Sequence, residues 1–194
     1  SKGKLGYVHV KGMNRDSFKK VYSDILGRYN DKDGIVVDTR FNGGGWLHND
    51  LAVLLSGKKY ASFFHRDIKN LGGEPLSQWS GDSVLVVNEG NYSDAHLFAY
   101  TYRALEIGKI VGMPVAGTST AVWWPRMLDR TMYYGVPQIG INDMDENILE
   151  NRELVPDFVV ENSPHDYIEG RDRQLEKAVE VLTVQIDEKT EVNK

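Results

Sequence analysis

The sequence predicts an α/β fold with a mostly parallel sheet flanked by helices, and three stretches of the chain carry that prediction. Residues 35–39 (Ile-Val-Val-Asp-Thr) and 83–87 (Ser-Val-Leu-Val-Val) are near-continuous apolar runs, which is typical of strands covered on both faces. Residues 7–10 are a third, shorter strand candidate, and a helical pattern separates them from the run at 35–39. A strand, a helix and a strand at this spacing predict a βαβ unit, whose two strands lie parallel in one sheet.

The other elements follow from local patterns along the chain. The first helix has Asn14 and Asp16 as candidate caps. Its apolar stripe consists of Phe18, Val21, Tyr22, Ile25, Leu26 and Tyr29. Short helices are predicted at residues 47–55 and after residue 93, strands at 60–64, 109–111, 132–134 and 136–141, and a polar surface loop at 65–81. Residues 171–186 carry the stripe of an amphipathic helix, and the last eight residues, 187–194, are expected to fray.

Length and composition narrow the class of protein. A chain of 194 residues is long enough for one domain with a real core, and no repeat or linker divides it, so one domain is predicted over residues 1–194. The lack of cysteine excludes disulfides, cysteine–zinc sites and thiol catalysis. A net charge of −5 argues against nucleic-acid binding, and no apolar run reaches the length of a membrane span. Because a predicted strand begins almost at the first residue, the domain is expected to be cut from a longer protein.

A serine stands where the strand at 83–87 gives way to a helix. Residues 88–91 (Asn-Glu-Gly-Asn) have turn chemistry, and Ser93 follows them directly before an apolar helical stretch. One interpretation is a helix N-cap, with Asp94 in the first turn, and the local sequence alone favours it. The other is a nucleophile at the mouth of the sheet, beside free N–H groups of the helix start that stabilise an oxyanion.

A run of three glycines follows the strand at 35–39. Residues 38–46 read Asp-Thr-Arg-Phe-Asn-Gly-Gly-Gly-Trp, and glycines there let the backbone approach another group or adopt positive φ. A phosphate cradle, an oxyanion loop and a plain strand-to-helix turn are the alternatives; the first is weak, since no Gly-Lys-Ser/Thr follows. Asp38 and Arg40 are expected to form a structural ion pair at the strand end.

Two further segments each have a structural and a functional interpretation. The acidic cluster at residues 143–147 lacks the glycine and the terminal glutamate of a calcium loop, so a solvated loop is predicted and no metal site. Residues 123–125 (Trp-Trp-Pro) are a partner surface, a pocket wall or, as the favoured interpretation, apolar residues packed under a loop.

Four segments in order resemble one family. They are residues 6–10, 38–45, 88–95, and 149–151 (Leu-Glu-Asn) with 156–157 (Pro-Asp). Together they resemble the tail-specific, or C-terminal processing, serine proteases, and most closely their tricorn branch; residues 171–178 resemble the end of a tricorn core. The resemblance implies a crotonase/ClpP-like α/β core of ββα-type units.

The resemblance also implies a reaction and roles for residues. It implies peptide-bond hydrolysis through an acyl-enzyme on Ser93, without a cofactor. The oxyanion would be held by the backbone N–H groups of Asp94 and of Gly44 or Gly45, and Glu150 would order the catalytic residues through a second serine. The expected substrate is a peptide or an unfolded protein, with no nucleic acid as partner.

The general base is the missing part. The resemblance places a histidine, with a serine beside it, upstream of this chain and before a PDZ module, so an upstream part of the same protein is expected to supply the base and the isolated chain to be nearly inactive. Within the chain, His48 is the nearest candidate base, whereas a helical turn carries His96 away from Ser93. The lysine base of the tail-specific branch finds no good match in Arg103 or Lys109.

Two other classes of function compete with a peptidase. One is a non-catalytic binding or assembly domain that kept the fold, for which Trp123 and Trp124 would be part of the surface. The other is a crotonase-type enzyme acting on an acyl-thioester, which suits the glycine loop and leaves the Ser93 turn and Glu150 unexplained. Cores of this kind often associate, so a homo-oligomer is among the expected states; a cytoplasmic and an exported location both fit.

Overall fold

The structure of the chain, a computed structural model, describes residues 1, 3–69 and 71–192. In chain order the elements are β1 (Leu5–His9), α1 (Arg15–Ser23), a π-helical segment (Asp24–Arg28), β2 (Gly34–Asp38), α2 (His48–Leu55), β3 (Ala61–Ser62), β4 (Gly73–Glu74), β5 (Asp82–Val87), α3 (Asp94–Ala104), β6 (Lys109–Gly112), β7 (Ala121–Trp123), β8 (Val136–Ile139), β9 (Phe158–Val159), α4 (Pro164–Ile168) and α5 (Arg173–Val192).

The main sheet is parallel throughout. Its five strands lie in the order β1-β2-β5-β6-β9, and each neighbouring pair runs in the same direction. The carboxyl ends of all five strands therefore meet at one edge of the sheet, where open α/β sheets bind their ligands. The predicted fold class, a mostly parallel sheet flanked by helices, is confirmed.

Apolar side chains are buried on both faces of the sheet, as the continuous apolar runs predict. On one face Ile35, Val37 and Leu85 are buried under α1, α2 and α3. On the other face Val36, Val84, Val86 and Val111 pack against α5, which contributes Ala178 and Leu182. The alternation follows from the two-residue period of a strand, and the double burial explains why these strands carry almost no polar residues.

The ion pair expected at the end of β2 is present and ties that strand to α5. The Arg40 guanidinium donates to both Asp38 carboxylate oxygens, with its Nη2 2.7 Å from Oδ2. Its Nη1 also donates to Asp172 Oδ1 at 2.9 Å and to Gln174 Oε1 at 3.0 Å. Asp38 is almost fully buried, so the arginine compensates a carboxylate that would otherwise lack a charge partner.

Several strands predicted outside the main sheet are wrong. Only Ala61–Ser62 of the predicted strand at 60–64 is extended, and it pairs with Gly73–Glu74, which lies inside the predicted loop. Residues 132–134 form no strand: β8 pairs antiparallel with β7 instead. These exposed segments lack the buried face that makes alternation informative.

The terminal helix is longer than predicted. It begins at Arg173 and continues through Val192, so residues 187–192 are helical and not frayed; residues 193–194 lie outside the described residues. Lys189, in the last turn of α5, bonds back to Asp82 at the start of β5 and so ties the end of the helix to the sheet. At the other end of the chain, Asn14 caps α1 as predicted, since its side chain accepts from the Ser17 amide at 3.0 Å.

Among the described residues, no helix combines the length and the hydropathy that a membrane span requires. Within the described residues, histidine and carboxylate side chains nowhere form a group with the arrangement of a metal site. The acidic segment at 143–147 is a loop closed on itself, because Asp143 accepts hydrogen bonds from the backbone amides of Asp145 and Asn147.

Candidate active site

Ser93 lies in a turn between β5 and α3, at the carboxyl edge of the sheet. Its backbone has φ 53° and ψ −120°, a region that residues other than glycine rarely adopt. Its side chain makes no capping hydrogen bond to α3. The N-cap interpretation of Ser93 is therefore wrong, since a capping serine has extended backbone angles and accepts from an amide of the first helical turn.

Buried asparagines fix the turn that presents Ser93. Asn91 Oδ1 accepts from the Asn88 amide at 3.0 Å, and Asn91 Nδ2 donates to Thr39 Oγ1 at 2.9 Å. Asn88 Oδ1 accepts from the Phe41 amide at 2.9 Å. These bonds join the turn after β5 to the segment after β2, so the two loops form one rigid unit.

The glycine loop lies directly against Ser93. Gly44 and Gly45 have φ of 92° and 145°. A Cβ atom on Gly44 would lie 2.8 Å from Ser93 Cβ, and one on Gly45 would lie 2.0 Å from the Met13 carbonyl oxygen. Both positions therefore require glycine, for backbone angle and for space.

The backbone amides of Gly45 and Asp94, which lie beside Ser93, have no acceptor among the described residues. The Gly44 amide, by contrast, donates to Asn42 Oδ1 at 2.9 Å. Asn42 is itself fixed, because its Nδ2 donates to the Val10 carbonyl at 2.7 Å. Of the two glycines named from the sequence, only Gly45 therefore has an amide that remains available to another group.

The Asp94 side chain points to the start of α2. Its Oδ2 accepts from the amides of Leu47 and His48, and its Oδ1 lies 2.6 Å from His48 Nδ1. The carboxylate thus caps α2 and orients the imidazole of His48. Among the described residues, no hydrogen bond joins His48 to Ser93.

Glu150 is held by the loop between β6 and β7. Its Oε2 accepts from the Ser119 amide at 2.8 Å, the Thr120 amide at 2.7 Å and the Thr120 hydroxyl at 2.8 Å. Burial raises the pKa of Glu150, but these hydrogen bonds outweigh it and the net pKa is lowered, so the carboxylate is ionised at neutral pH. Thr118, in the same loop, accepts from the Ser93 amide at 2.8 Å.

Two buried polar atoms near Glu150 have no partner among the described residues: Ser119 Oγ and His96 Nδ1. Burial lowers the pKa of His96, and the charge of Glu150 and the Arg152 backbone oppose this only in part, so the ring is neutral. His96 lies inside α3, as predicted, away from the cavity that contains Ser93.

A cavity of about 600 Å³ brings the predicted residues together. Ser93, Asp94, Gly45 and Glu150 all line it, and its other walls include Leu97, Thr118–Val122, Trp124, Pro137 and Ile141. Trp124 is thus a pocket wall, so the favoured interpretation of packing under a loop is wrong for this residue. Thr118 carried no signal in the sequence that would have assigned it to this cavity, whereas a pocket wall was among the alternatives that the sequence left open for Trp124.

Residues 4–160 match the model of peptidase family S41. The tricorn protease homolog of Saccharolobus solfataricus is 32% identical over 191 residues, which are 96% of this chain and 17% of that protein. The tricorn protease of Thermoplasma acidophilum is 27% identical over 183 residues, which are 94% of this chain and 17% of that protein.

Solved structures give the same picture. The crystal structure of the tricorn protease superposes with a TM-score of 0.83 at 27% identity, over 96% of this chain and 18% of that one. The photosystem II D1 C-terminal processing protease shares the fold, with a TM-score of 0.57 at 20% identity over 83% of this chain and 44% of that one. This chain spans less than a fifth of the length of these tricorn relatives. The resemblance to tricorn and tail-specific proteases is confirmed, and the chain belongs to peptidase family S41.

Proposed function

We propose that this chain is the catalytic core of a serine peptidase, with Ser93 as the nucleophile that forms an acyl-enzyme. The observation that carries the proposal is the backbone of Ser93, at φ 53° and ψ −120° in a sharp strand-to-helix turn with no capping bond. Strain of this kind persists where neighbouring structure enforces it, and it clusters at sites of chemistry. A domain that only binds a partner does not require a strained serine at the mouth of a cavity.

The surrounding groups support the steps of acyl transfer. A base takes the proton of Ser93 Oγ while the oxygen attacks the carbonyl carbon of the scissile peptide bond. The amides of Asp94 and Gly45 donate to the oxyanion that develops on the carbonyl oxygen, and removal of one such donor typically costs about 2.7–4 kcal/mol of transition-state stabilisation. The C–N bond then breaks, and the amine leaves with the proton from the base. Water next attacks the ester carbonyl, the base takes the proton of the water, and Ser93 Oγ leaves with that proton.

The base comes from an upstream part of the same protein in this proposal. Glu150 supports it, because only its Oε2 accepts hydrogen bonds among the described residues, which leaves Oε1 to accept from a serine beside the incoming histidine. Ser119, whose buried hydroxyl has no partner among the described residues, lines the same cavity. A buried donor without a partner indicates that another group completes this corner of the site.

His48 is the competing base within the chain. Its pairing with Asp94 resembles the carboxylate–histidine half of a catalytic triad. However, Asp94 also accepts from the amides at the start of α2, so the pair is anchored to that helix and not to Ser93. We assign His48 to positioning Asp94, and the labelling experiment below tests that assignment.

The proposed substrate is a peptide or an unfolded protein. The relatives are named as tricorn proteases and as a C-terminal processing protease, and the chain matches less than a fifth of the tricorn proteins. We therefore propose that the full-length protein assembles the site from this core and upstream segments, and that it forms a homo-oligomer.

The test is reaction with a fluorophosphonate probe, measured by mass spectrometry at Ser93. We expect the chain alone to react about 1,000-fold or more slowly than the full-length protein, because a serine without its base is a poor nucleophile. Ser93→Ala is the control for both proteins. Fast labelling of the chain alone that is lost in His48→Gln would move the base to His48. A folded full-length protein that neither reacts nor cleaves peptides would refute the peptidase proposal.

A further inference from the structure

One buried carboxylate, that of Asp94, lies between the two amides proposed to hold the oxyanion. The Asp94 backbone amide is one of these donors, and the Asp94 side chain is only 2% exposed. Its Oδ2 accepts from the amides of Leu47 at 2.5 Å and His48 at 3.1 Å. The other donor, the Gly45 amide, lies two residues before Leu47 in sequence. Asp94 therefore carries one donor and holds the segment that carries the other.

The segment at residues 44–48 is held on two sides. On one side the Gly44 carbonyl accepts from the Met13 amide at 3.1 Å, and the Trp46 amide donates to the Met13 carbonyl at 2.9 Å. On the other side the bonds to Asp94 join the end of the segment to the turn after β5. The Met13 bonds fix the path of the segment, and the Asp94 bonds fix its distance from that turn. The separation of the two oxyanion donors therefore depends on the orientation of a single carboxylate.

The His48 ring orients that carboxylate. Its Nδ1 lies 2.6 Å from Asp94 Oδ1, and Nδ1 is the donor because a carboxylate only accepts hydrogen bonds. Among the described residues, no other group donates to this oxygen. The Trp46 ring packs edge-on against the imidazole, with centroids 5.6 Å apart. Without the imidazole, one buried carboxylate oxygen would lack a partner, and the carboxylate would turn or admit water to satisfy it.

We propose that His48 is a positioning residue of the oxyanion hole, which through the Asp94 carboxylate fixes the separation of the Gly45 and Asp94 amides. Donors fixed in advance stabilise an oxyanion strongly, because they need no rearrangement as the charge develops. His48 is not among the described residues that line the cavity of Ser93, so its ring acts through the carboxylate and not on the substrate. The inference rests on the proposed peptidase function, since that function assigns the two amides to an oxyanion.

Two substitutions of His48 separate positioning from proton transfer. His48→Asn removes the imidazole but keeps an N–H donor near the position of Nδ1, because both nitrogens are bonded to Cγ. His48→Leu keeps an apolar side chain and removes the donor. The matched control is His165→Leu, because His165 is an exposed histidine whose Nδ1 lies 3.5 Å from Glu169 Oε2. Circular dichroism checks folding, and His48→Ala is used if His48→Leu does not fold.

The kinetics of the full-length protein give the first measurement. We expect His48→Leu to lower kcat about 10- to 100-fold with KM unchanged, because loss of a whole oxyanion donor costs about 100- to 1,000-fold and a misplaced donor costs less. His48→Asn should retain most of kcat, and His165→Leu all of it. A base at residue 48 would be lost in both variants. An equal loss in His48→Asn and His48→Leu, or no loss in either, would therefore overturn the inference.

A pair of ligands tests the oxyanion hole itself. With a peptide aldehyde, Ser93 Oγ adds to the carbonyl carbon, its proton passes to the base, and the former carbonyl oxygen occupies the oxyanion hole. The matching peptide alcohol has no carbonyl and binds without that contact. We expect His48→Leu to weaken inhibition by the aldehyde about 10- to 100-fold and to leave inhibition by the alcohol unchanged. An equal effect on both ligands would indicate a general structural role and would contradict the positioning role.

Nuclear magnetic resonance of this chain separates the inference from the peptidase proposal, because it reports on the two amides without turnover. We expect the amide chemical shifts of Gly45 and Asp94 to change in His48→Leu and to stay close to their unaltered values in His48→Asn. If the full-length protein neither cleaves peptides nor binds the aldehyde while the amides respond in this way, the positioning role stands and the reaction assignment fails. Amides that do not respond would overturn the inference whether or not peptides are cleaved.

Discussion

Ser93 is held in its unusual backbone conformation by bonds from three separate loops. Its own amide donates to Thr118, 2.8 Å away, and the preceding amide of Tyr92 donates to the Asn42 carbonyl at 2.9 Å. The following residue, Asp94, is fixed through its carboxylate to the start of α2. With both neighbours immobilised, the turn cannot relax to negative φ without breaking these bonds.

This strain predicts an unusual order of stabilities for variants at Ser93. Glycine adopts positive φ without penalty, whereas alanine keeps the Cβ that makes the conformation costly. We therefore expect Ser93→Gly to be more stable than Ser93→Ala by about 1 kcal/mol, measured by urea unfolding of this chain. Ser23, exposed and helical at φ −65°, is the control, because there Gly should be less stable than Ala by about 1 kcal/mol. The same order at both positions would contradict strain at Ser93.

Ser93 could be singled out from the sequence, but its conformation could not. The apolar run, the turn residues and the following helix are neighbours in sequence. A serine at a strand-to-helix turn could therefore be predicted from the local pattern. Whether Ser93 caps α3 or lies in a strained turn depends on Asn42 and Thr118, which are distant in sequence. The same is true of Glu150, whose partners Ser119 and Thr120 lie about thirty residues earlier.

At the scale of elements, the junction of α4 and α5 shows how one carboxylate fixes two helices. Asp166 Oδ2 accepts from the Ser163 hydroxyl at 2.6 Å and the Ser163 amide at 2.9 Å, which forms a capping box at the start of α4. Its Oδ1 accepts from Arg173 Nε at 2.7 Å, at the start of α5. The hydroxyl contributes most, and despite burial these groups lower the pKa of Asp166 to about 2.

That pKa predicts how the junction responds to pH. The folded-state pKa of about 2 lies below the ordinary value of 3.8, so the stabilisation is fully present above the ordinary value and is lost as pH falls toward 2. We expect Asp166→Asn to lower the free energy of unfolding at pH 6, and the gap to the unaltered chain to narrow from pH 4 downward in urea titrations. Asp67→Asn, in an exposed loop, is the control and should show no such gap. A gap that is constant down to pH 2.5 would contradict the assignment.

Four strands of the main sheet, β1, β2, β5 and β6, and the helices packed on them were predictable because each has a buried face. The fifth strand, β9, has no fully buried residue and was not predicted. A continuous apolar run or a helical stripe records burial directly in sequence. The short strands β3, β4, β7 and β8 have no such face, so their pairing depends on partners that the local pattern does not reveal.

For the whole molecule, α5 closes one side of the sheet. It covers Val36, Val84, Val86 and Val111, while the helices on the opposite face contact none of these side chains in the described core. The family match ends at residue 160, so this layer comes from a part of the chain beyond it. Arg40 links the two regions, because it bonds to Asp38 behind the active-site loops and to Asp172 at the start of α5.

This arrangement predicts that the sheet edge that contains Ser93 depends on α5, although α5 lies far from it in sequence. Removal of residues 173–194 would expose a sheet face of branched apolar side chains, each worth about 1.5–3 kcal/mol of burial. We expect the shortened chain to lose its cooperative urea transition and its near-ultraviolet circular dichroism, with exposed apolar surface that binds a hydrophobic dye. Removal of residues 190–194 alone, which keeps Lys189 and the packed part of α5, should leave the transition intact. If the chain without residues 173–194 unfolds cooperatively, residues 1–172 suffice to form the sheet. In that case α5 covers the sheet but is not required for its formation.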